Sequence, residues 1–157
     1  MIFDATQEFT VSYPGPYEDA LAFLRDPSRS LRAVRFLRGL TFDGRVVRAE
    51  LVVTVPMMGE VPVPFESSVI PTPDGAELAP LELSGRAWAE VKGQGVVTGS
   101  EAGIDLRYRF AFRVHLDVPR AEKWGGVAFE KMFQQAARRT LERIGRDFPD
   151  AVRAAMP

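Results

Sequence analysis

From Ile104 to Val118 the chain runs Ile-Asp-Leu-Arg-Tyr-Arg-Phe-Ala-Phe-Arg-Val-His-Leu-Asp-Val. Every even position is apolar: Ile104, Leu106, Tyr108, Phe110, Phe112, Val114, Leu116 and Val118. The odd positions carry Asp105, Arg107, Arg109, Arg113, His115 and Asp117. A period of two means a β-strand with one dry face and one wet face. At 3.3 Å per residue it is about 45 Å long, so it must bend across a large sheet. After Pro119 the period changes. Phe129, Phe133, Ala136, Ala137, Thr140, Leu141, Ile144 and Phe148 recur at spacings of three and four, which predicts a long amphipathic helix. Glu122 and Glu130 lie early in it and Arg138, Arg139, Arg143 and Arg146 late, as the helix dipole favours. Gly125-Gly126 predicts a frayed or kinked first turn, and Pro149 predicts either the helix end or a short extension to Met156.

Upstream, Asp43-Gly44 sits between Phe36, Leu40 and Phe42 on one side and Val47, Ala49, Leu51, Val53 and Val55 on the other, a hairpin signal. Thr72-Pro73-Asp74-Gly75 and Gly99-Ser100-Glu101-Ala102-Gly103 are further turns, so the chain from about Ala33 onward reads as a β-meander. At the start, Phe3, Ala5, Phe9, Val11 and Tyr13 alternate with Asp4, Thr6, Glu8, Thr10 and Ser12, another strand. Pro14-Gly15-Pro16 stops it. Tyr17, Ala20, Leu21 and Leu24 then predict a short helix opened by Pro16, and Asp26-Pro27-Ser28 caps a second one through about Leu31.

Composition narrows the chemistry. The 157 residues are 46% hydrophobic and 26% charged, ordinary globular values for one domain. There is no cysteine and His115 is the only histidine, which removes thiolate nucleophiles, disulfides and Cys- or His-rich metal sites. Lys and Arg number 20 against 21 Asp and Glu, so no global field draws nucleic acid or an anionic membrane. The N-terminus lacks a signal-peptide pattern and no run approaches the about 20 apolar residues of a membrane span. A cytoplasmic protein with no membrane insertion is expected.

A strand, two short helices, a six-strand meander and one long C-terminal helix resembles the START-like superfamily, also called Bet v 1-like, helix-grip or SRPBCC, and its small bacterial members of unknown function. The resemblance runs from Phe3 to about Phe148 and implies a single START-like domain over 1–157. It implies an α+β fold: a seven-stranded curved antiparallel sheet wrapped around the C-terminal helix, with two short helices after strand 1 and a hydrophobic cavity between sheet and helix. In that arrangement the first strand pairs with the last, so Asp4 and Glu8 can answer Arg107, Arg109 and Arg113 across strands. Pro62, Pro64 and Pro80 depart from the pattern and predict bulges or bends.

Within Arg86–Val97 the dry positions are Ala87, Ala89, Val91, Gly93, Gly95 and Val97. A row that small leaves volume, which is either filled by Trp124, Phe129 and Phe133 or kept as a pocket. Candidate ligand contacts are Phe65, Ser67, Tyr108, Phe110, Phe112, Met132, Phe133 and Thr140, with Tyr108 and Thr140 able to offer hydroxyls. Gln135 is a further polar candidate on the helix. Met57-Met58, in a turn, either gate the cavity, form an adaptable contact surface or cap the core. No catalytic residue, metal ligand or cofactor site is assigned, since His115 lies on the wet face without a nucleophile and no Gly-rich phosphate loop occurs.

The leading expectation is therefore binding or carriage of a small hydrophobic molecule (lipid, polyketide-like or quinone-like) without catalysis. Two alternatives stand beside it. One is a cyclase- or hydrolase-like enzyme using Tyr108, Thr140 or a buried carboxylate in the same cavity. The other is a protein-interaction module with a filled core, and homo-oligomer formation is left open.

Overall fold

The computed structural model describes residues 2–117 and 126–157. The expectations resting on Val118, Pro119, Glu122, Trp124 and Gly125 lie outside those residues. The alternation around Phe110 builds β7 (Gly103–Leu116), which lies between β1 (Ile2–Tyr13) and β6 (Ala87–Ser100). Between β1 and the meander come α1 (Tyr17–Arg25) and α2 (Pro27–Ser30). The meander consists of β2 (Leu37–Phe42), β3 (Val46–Val55), β4 (Gly59–Thr72) and β5 (Gly75–Pro80) before β6. The seven strands form one antiparallel sheet in the order β1-β7-β6-β5-β4-β3-β2. It curls into a half-barrel, and α3 (Val127–Ala154) spans its open side, touching β1 near one edge and β3 near the other. This is the helix-grip architecture.

Local chemistry explains the turns and ends. Asp43 accepts hydrogen bonds from the backbone N–H of Arg45 and Val46 at 2.9 and 2.8 Å, closing the β2–β3 hairpin. Those bonds, the Val46 one first, hold its carboxyl below the usual range. Asp26 caps α2 by accepting from the Ser28 N–H, with Pro27 in the first turn. β5 can lie against β6 because Gly75 has no side chain: a Cβ there would sit 1.8 Å from the carbonyl oxygen of Gly95.

The prolines behave differently from expectation. The β3–β4 register runs without a break through Val52↔Pro62 and Glu50↔Pro64. β5 joins β4 only from Ser67 onward, so the first half of β4 has one neighbour and its missing N–H groups can face the open side. The irregularity lies instead in β2, between Arg38 and Thr41, where Gly39 takes φ 62°. Pro80 simply ends β5. Pro149 does not end α3, which continues to Ala154. Buried Phe148 and Val152 on either side hold the helical path against the lost hydrogen bond.

Phe148, 2% exposed, is the centre of the core. Its ring meets Phe110 of β7 at 4.7 Å, Phe9 of β1 at 5.0 Å and Phe36, just before β2, at 5.3 Å. The small-residue row of β6 is also filled, by Leu24, Leu78 and Phe110. A Cβ on Gly95 would lie 2.9 Å from Leu24 of α1, and one on Gly93 would lie 3.1 Å from Leu78 and Phe110. Phe133 instead stacks on Phe3 at 4.8 Å. On the outer face, Arg113 pairs with Asp4 at 2.9 Å and Arg109 with Glu8 at 3.2 Å, as the β1–β7 register places them. Such exposed pairs contribute about 0–1 kcal/mol each.

Phe148→Ala removes a ring that four segments share. It is expected to cost about 3–5 kcal/mol in denaturant unfolding; a loss below about 1 kcal/mol would mean that α3 does not seat in the sheet.

Candidate functional site

Under the middle of α3 lies a narrow apolar cavity of about 50 Å³. Phe3 and Ala5 of β1, Leu51 and Val53 of β3, and Phe112 and Val114 of β7 face it from the sheet. The helix contributes Phe133, Ala137, Thr140, Leu141 and Ile144, the residues that its spacing of three and four turns inward. The helix is held close to β1 at two successive turns. Gln7 donates from Nε2 to the Leu141 carbonyl at 3.4 Å, and a Cβ on Gly145 would lie 2.8 Å from Gln7 Oε1. Gln7 is the one polar residue on the dry face of β1. A polar side chain there needs a partner, and that was the available sign of where the helix docks.

A wider cleft of about 890 Å³ lies between the C-terminal half of α3 and the β2–β3 edge. Phe36 and Val52 line both spaces, so the cavity and the cleft share a wall. Apolar Phe36, Val52 and Ala151 sit in the cleft together with Arg35, Arg38 and Arg143. The cleft falls within the about 300–1,000 Å³ of small-molecule sites, whereas the cavity alone has room for only a few waters.

The sequence candidates divide between regions. Phe112, Phe133 and Thr140 line the cavity. Tyr108 and Phe110 line a second void, of about 30 Å³, beneath α1 and α2. Phe65 and Ser67 are buried in the sheet and line neither space. Met132 is corrected outright: it is 50% exposed on the outward side of α3 and cannot touch a ligand beneath the helix. Gln135 is likewise exposed. Met57 and Met58, 68% and 54% exposed, occupy the β3–β4 turn and line neither cavity nor cleft. They neither gate the cavity nor cap the core in this arrangement. Glu60, just beyond that turn, does border the cleft.

Polar groups inside are few. Ser67 donates its hydroxyl to the Val91 carbonyl at 2.7 Å, and Thr140 donates to the Ala136 carbonyl at 3.0 Å, so both protons are committed. The Tyr108 hydroxyl is buried and has no hydrogen-bond partner among the described residues. Burial pushes its phenol up, keeping it a neutral donor across the physiological range. His115 lies on the outer face, where its ring stacks on Trp88 at 4.0 Å and its Nε2 is 2.9 Å from Glu90 Oε2. Among the described residues no three His, Asp or Glu side chains converge as metal ligands would, and no helix is long and apolar enough to cross a membrane.

Residues 8–146, most of the structure just described, match the family described as Protein of unknown function (DUF3809). The chain belongs to that family. No curated protein matches the DUF3809 chain. Among solved structures it is similar to the di-domain ARO/CYC StfQ from the steffimycin biosynthetic pathway, with TM-score 0.56 and 14% identity over 96% of this chain and 50% of that one. It is also similar to the di-domain ARO/CYC BexL from the BE-7585A biosynthetic pathway, with TM-score 0.50 and 16% identity over 95% and 50%. The DUF3809 chain thus spans half the length of each. At these identities the likeness shows a shared fold.

The unpartnered phenol gives a direct test. Tyr108→Phe removes a buried hydroxyl that meets no partner among the described residues, so stability is expected to hold or rise by up to about 1 kcal/mol. A loss above about 2 kcal/mol by denaturant unfolding would show instead that the hydroxyl is bonded.

Proposed function

We propose that this DUF3809 protein binds and carries a small hydrophobic molecule (lipid, polyketide-like or quinone-like) between its sheet and α3, without catalysis. The observation that carries this reading is the shared wall. An apolar cavity under the helix is separated by Phe36 and Val52 from a cleft of ligand size. The ligand body lies in the cleft, and displacement of the Phe36 ring admits one apolar end toward Phe112, Phe133 and Thr140. Each methylene moved out of water there contributes about 0.8 kcal/mol.

StfQ and BexL are each named ARO/CYC, which raises an enzyme as the alternative. The committed protons of Ser67 and Thr140 favour carriage over chemistry. Tyr108, the one free buried side-chain donor among the described residues, sits in the separate void under α1 and α2. General acid–base work needs a proton-transferring group within hydrogen-bond reach of the substrate. The carrier is proposed to work in the cytoplasm.

Filling the cavity tests the reading. The neutral dye N-phenyl-1-naphthylamine is expected to bind wild-type protein with a blue-shifted emission. Ala137→Phe, which places a ring in the cavity, is expected to weaken binding about tenfold, or about 1.4 kcal/mol, with Ala137→Leu as the smaller filler should the larger one unfold. Equal binding by wild type and folded variants, or none by wild type, would overturn it.

A further inference from the structure

We infer that the cleft selects a single-chain amphiphile with one anionic head, of the long-chain carboxylate class, whose head rests on Arg35, Arg38 and Arg143 while its chain runs past Phe36. The inference rests on the hydrophobic-binding reading above and adds the chemistry of the head. Charge at the cleft looks balanced at first, because Glu60, Asp147 and Asp150 line it with the three arginines. Two of these acids, however, already have cations from outside the lining. Arg146 pairs with Asp147 at 3.5 Å and Arg153 with Asp150 at 2.8 Å. Among the described residues Arg35, Arg38 and Arg143 make no ion pair and neither does Glu60, so three guanidinium groups stand against one uncommitted carboxylate in the cleft.

That excess is local. The whole chain has a net charge of −1, and on the outer sheet face Arg48, Arg109 and Arg113 are paired with the acids opposite them, Glu66, Glu8 and Asp4, whereas Arg38 stands across from Glu50 without an ion pair among the described residues. Three unpaired guanidinium groups beside an apolar wall match a carboxylate in water with its alkyl chain withdrawn from water, since a guanidinium fork accepts a carboxylate with two parallel hydrogen bonds. The C-terminal end of α3 brings partial negative charge to the same region. Arg32 meets it there, donating from Nη2 to the Ala155 carbonyl at 3.2 Å.

Calorimetric titration of the whole chain at pH 8 and low salt, with dodecanoate, dodecan-1-ol and dodecyltrimethylammonium as probes, separates head from chain. Dodecanoate is expected to bind about tenfold tighter than the alcohol, and the ammonium weakest, with added salt narrowing the gap. The exposed triple substitution Arg35→Gln/Arg38→Gln/Arg143→Gln is expected to bring dodecanoate to within about twofold of the alcohol measured on the same variant. Equal binding of dodecanoate and alcohol by wild type, or equal losses of both in the variant, would overturn the head-group inference and leave hydrophobic binding standing. Binding of none of the three probes by wild type would overturn both. Vesicles of phosphatidylglycerol are not expected to sediment the protein; sedimentation would place the anion on a membrane surface and overturn the free amphiphile.

Discussion

The inner face of the sheet must leave water, and only α3 is long enough to cover it. Seven strands curl so that β1 and β2 become the two edges of a half-barrel with an apolar lining. An uncovered lining of this kind is a large hydrophobic penalty at about 25 cal/mol per Å². Phe148 is where helix and lining meet most closely, with rings from β7, β1 and the segment before β2 around it. Other features follow from that seat. Gln7 fixes the height of the helix on β1, Gly145 permits the approach, and the helix keeps its path through Pro149 because Phe148 and Val152 are buried on either side.

The same packing divides the interior. Around Phe148, Phe110 and Leu24 the half-barrel is filled, including the glycine row of β6. Toward the N-terminal half of α3 the side chains shrink to Ala137 and Thr140, and a small apolar space remains. A ligand therefore cannot occupy the middle of this fold without displacing Phe148. It can lie to one side, where Phe36 stands between the cavity and the cleft. Phe36 belongs both to the core cluster and to that wall, so ligand uptake and core stability are coupled through one ring.

Much of this was legible in the sequence, and the failures have physical causes. The period-two face from Ile104 to Leu116 and the Asp43-Gly44 turn report local backbone geometry, which sequence encodes directly. The pairing of Asp4 and Glu8 with Arg113 and Arg109 followed once β1 was laid beside β7. The bulges expected at Pro62 and Pro64 are absent because a proline's force depends on its neighbours and a strand with one side open tolerates both; at Pro149 the sequence leaves open both a helix end and a short extension, and burial of Phe148 and Val152 decides for the extension. The site was read less well. Periodicity shows that Gly93 and Gly95 face inward, but not that Leu24, from some seventy residues earlier, fills the space above Gly95. Met132 carried the right chemistry on the wrong side of a helix, and the charged cleft draws on three separated segments that no local pattern joins.

The central claim, that α3 lies inside the curl against β1, has a direct measurement in a chain that contains no cysteine of its own. Gln7→Cys combined with Gly145→Cys should be bridged rapidly by a short bis-thiol reagent such as dibromobimane, because the Gln7 amide reaches the Gly145 β position and the shorter cysteine leaves a gap for such a linker. A matched pair, Glu8→Cys with Gly145→Cys, points to the opposite face of β1 and should stay unbridged. Cross-linking of the second pair as fast as the first, or of neither, would contradict a helix gripped by the sheet.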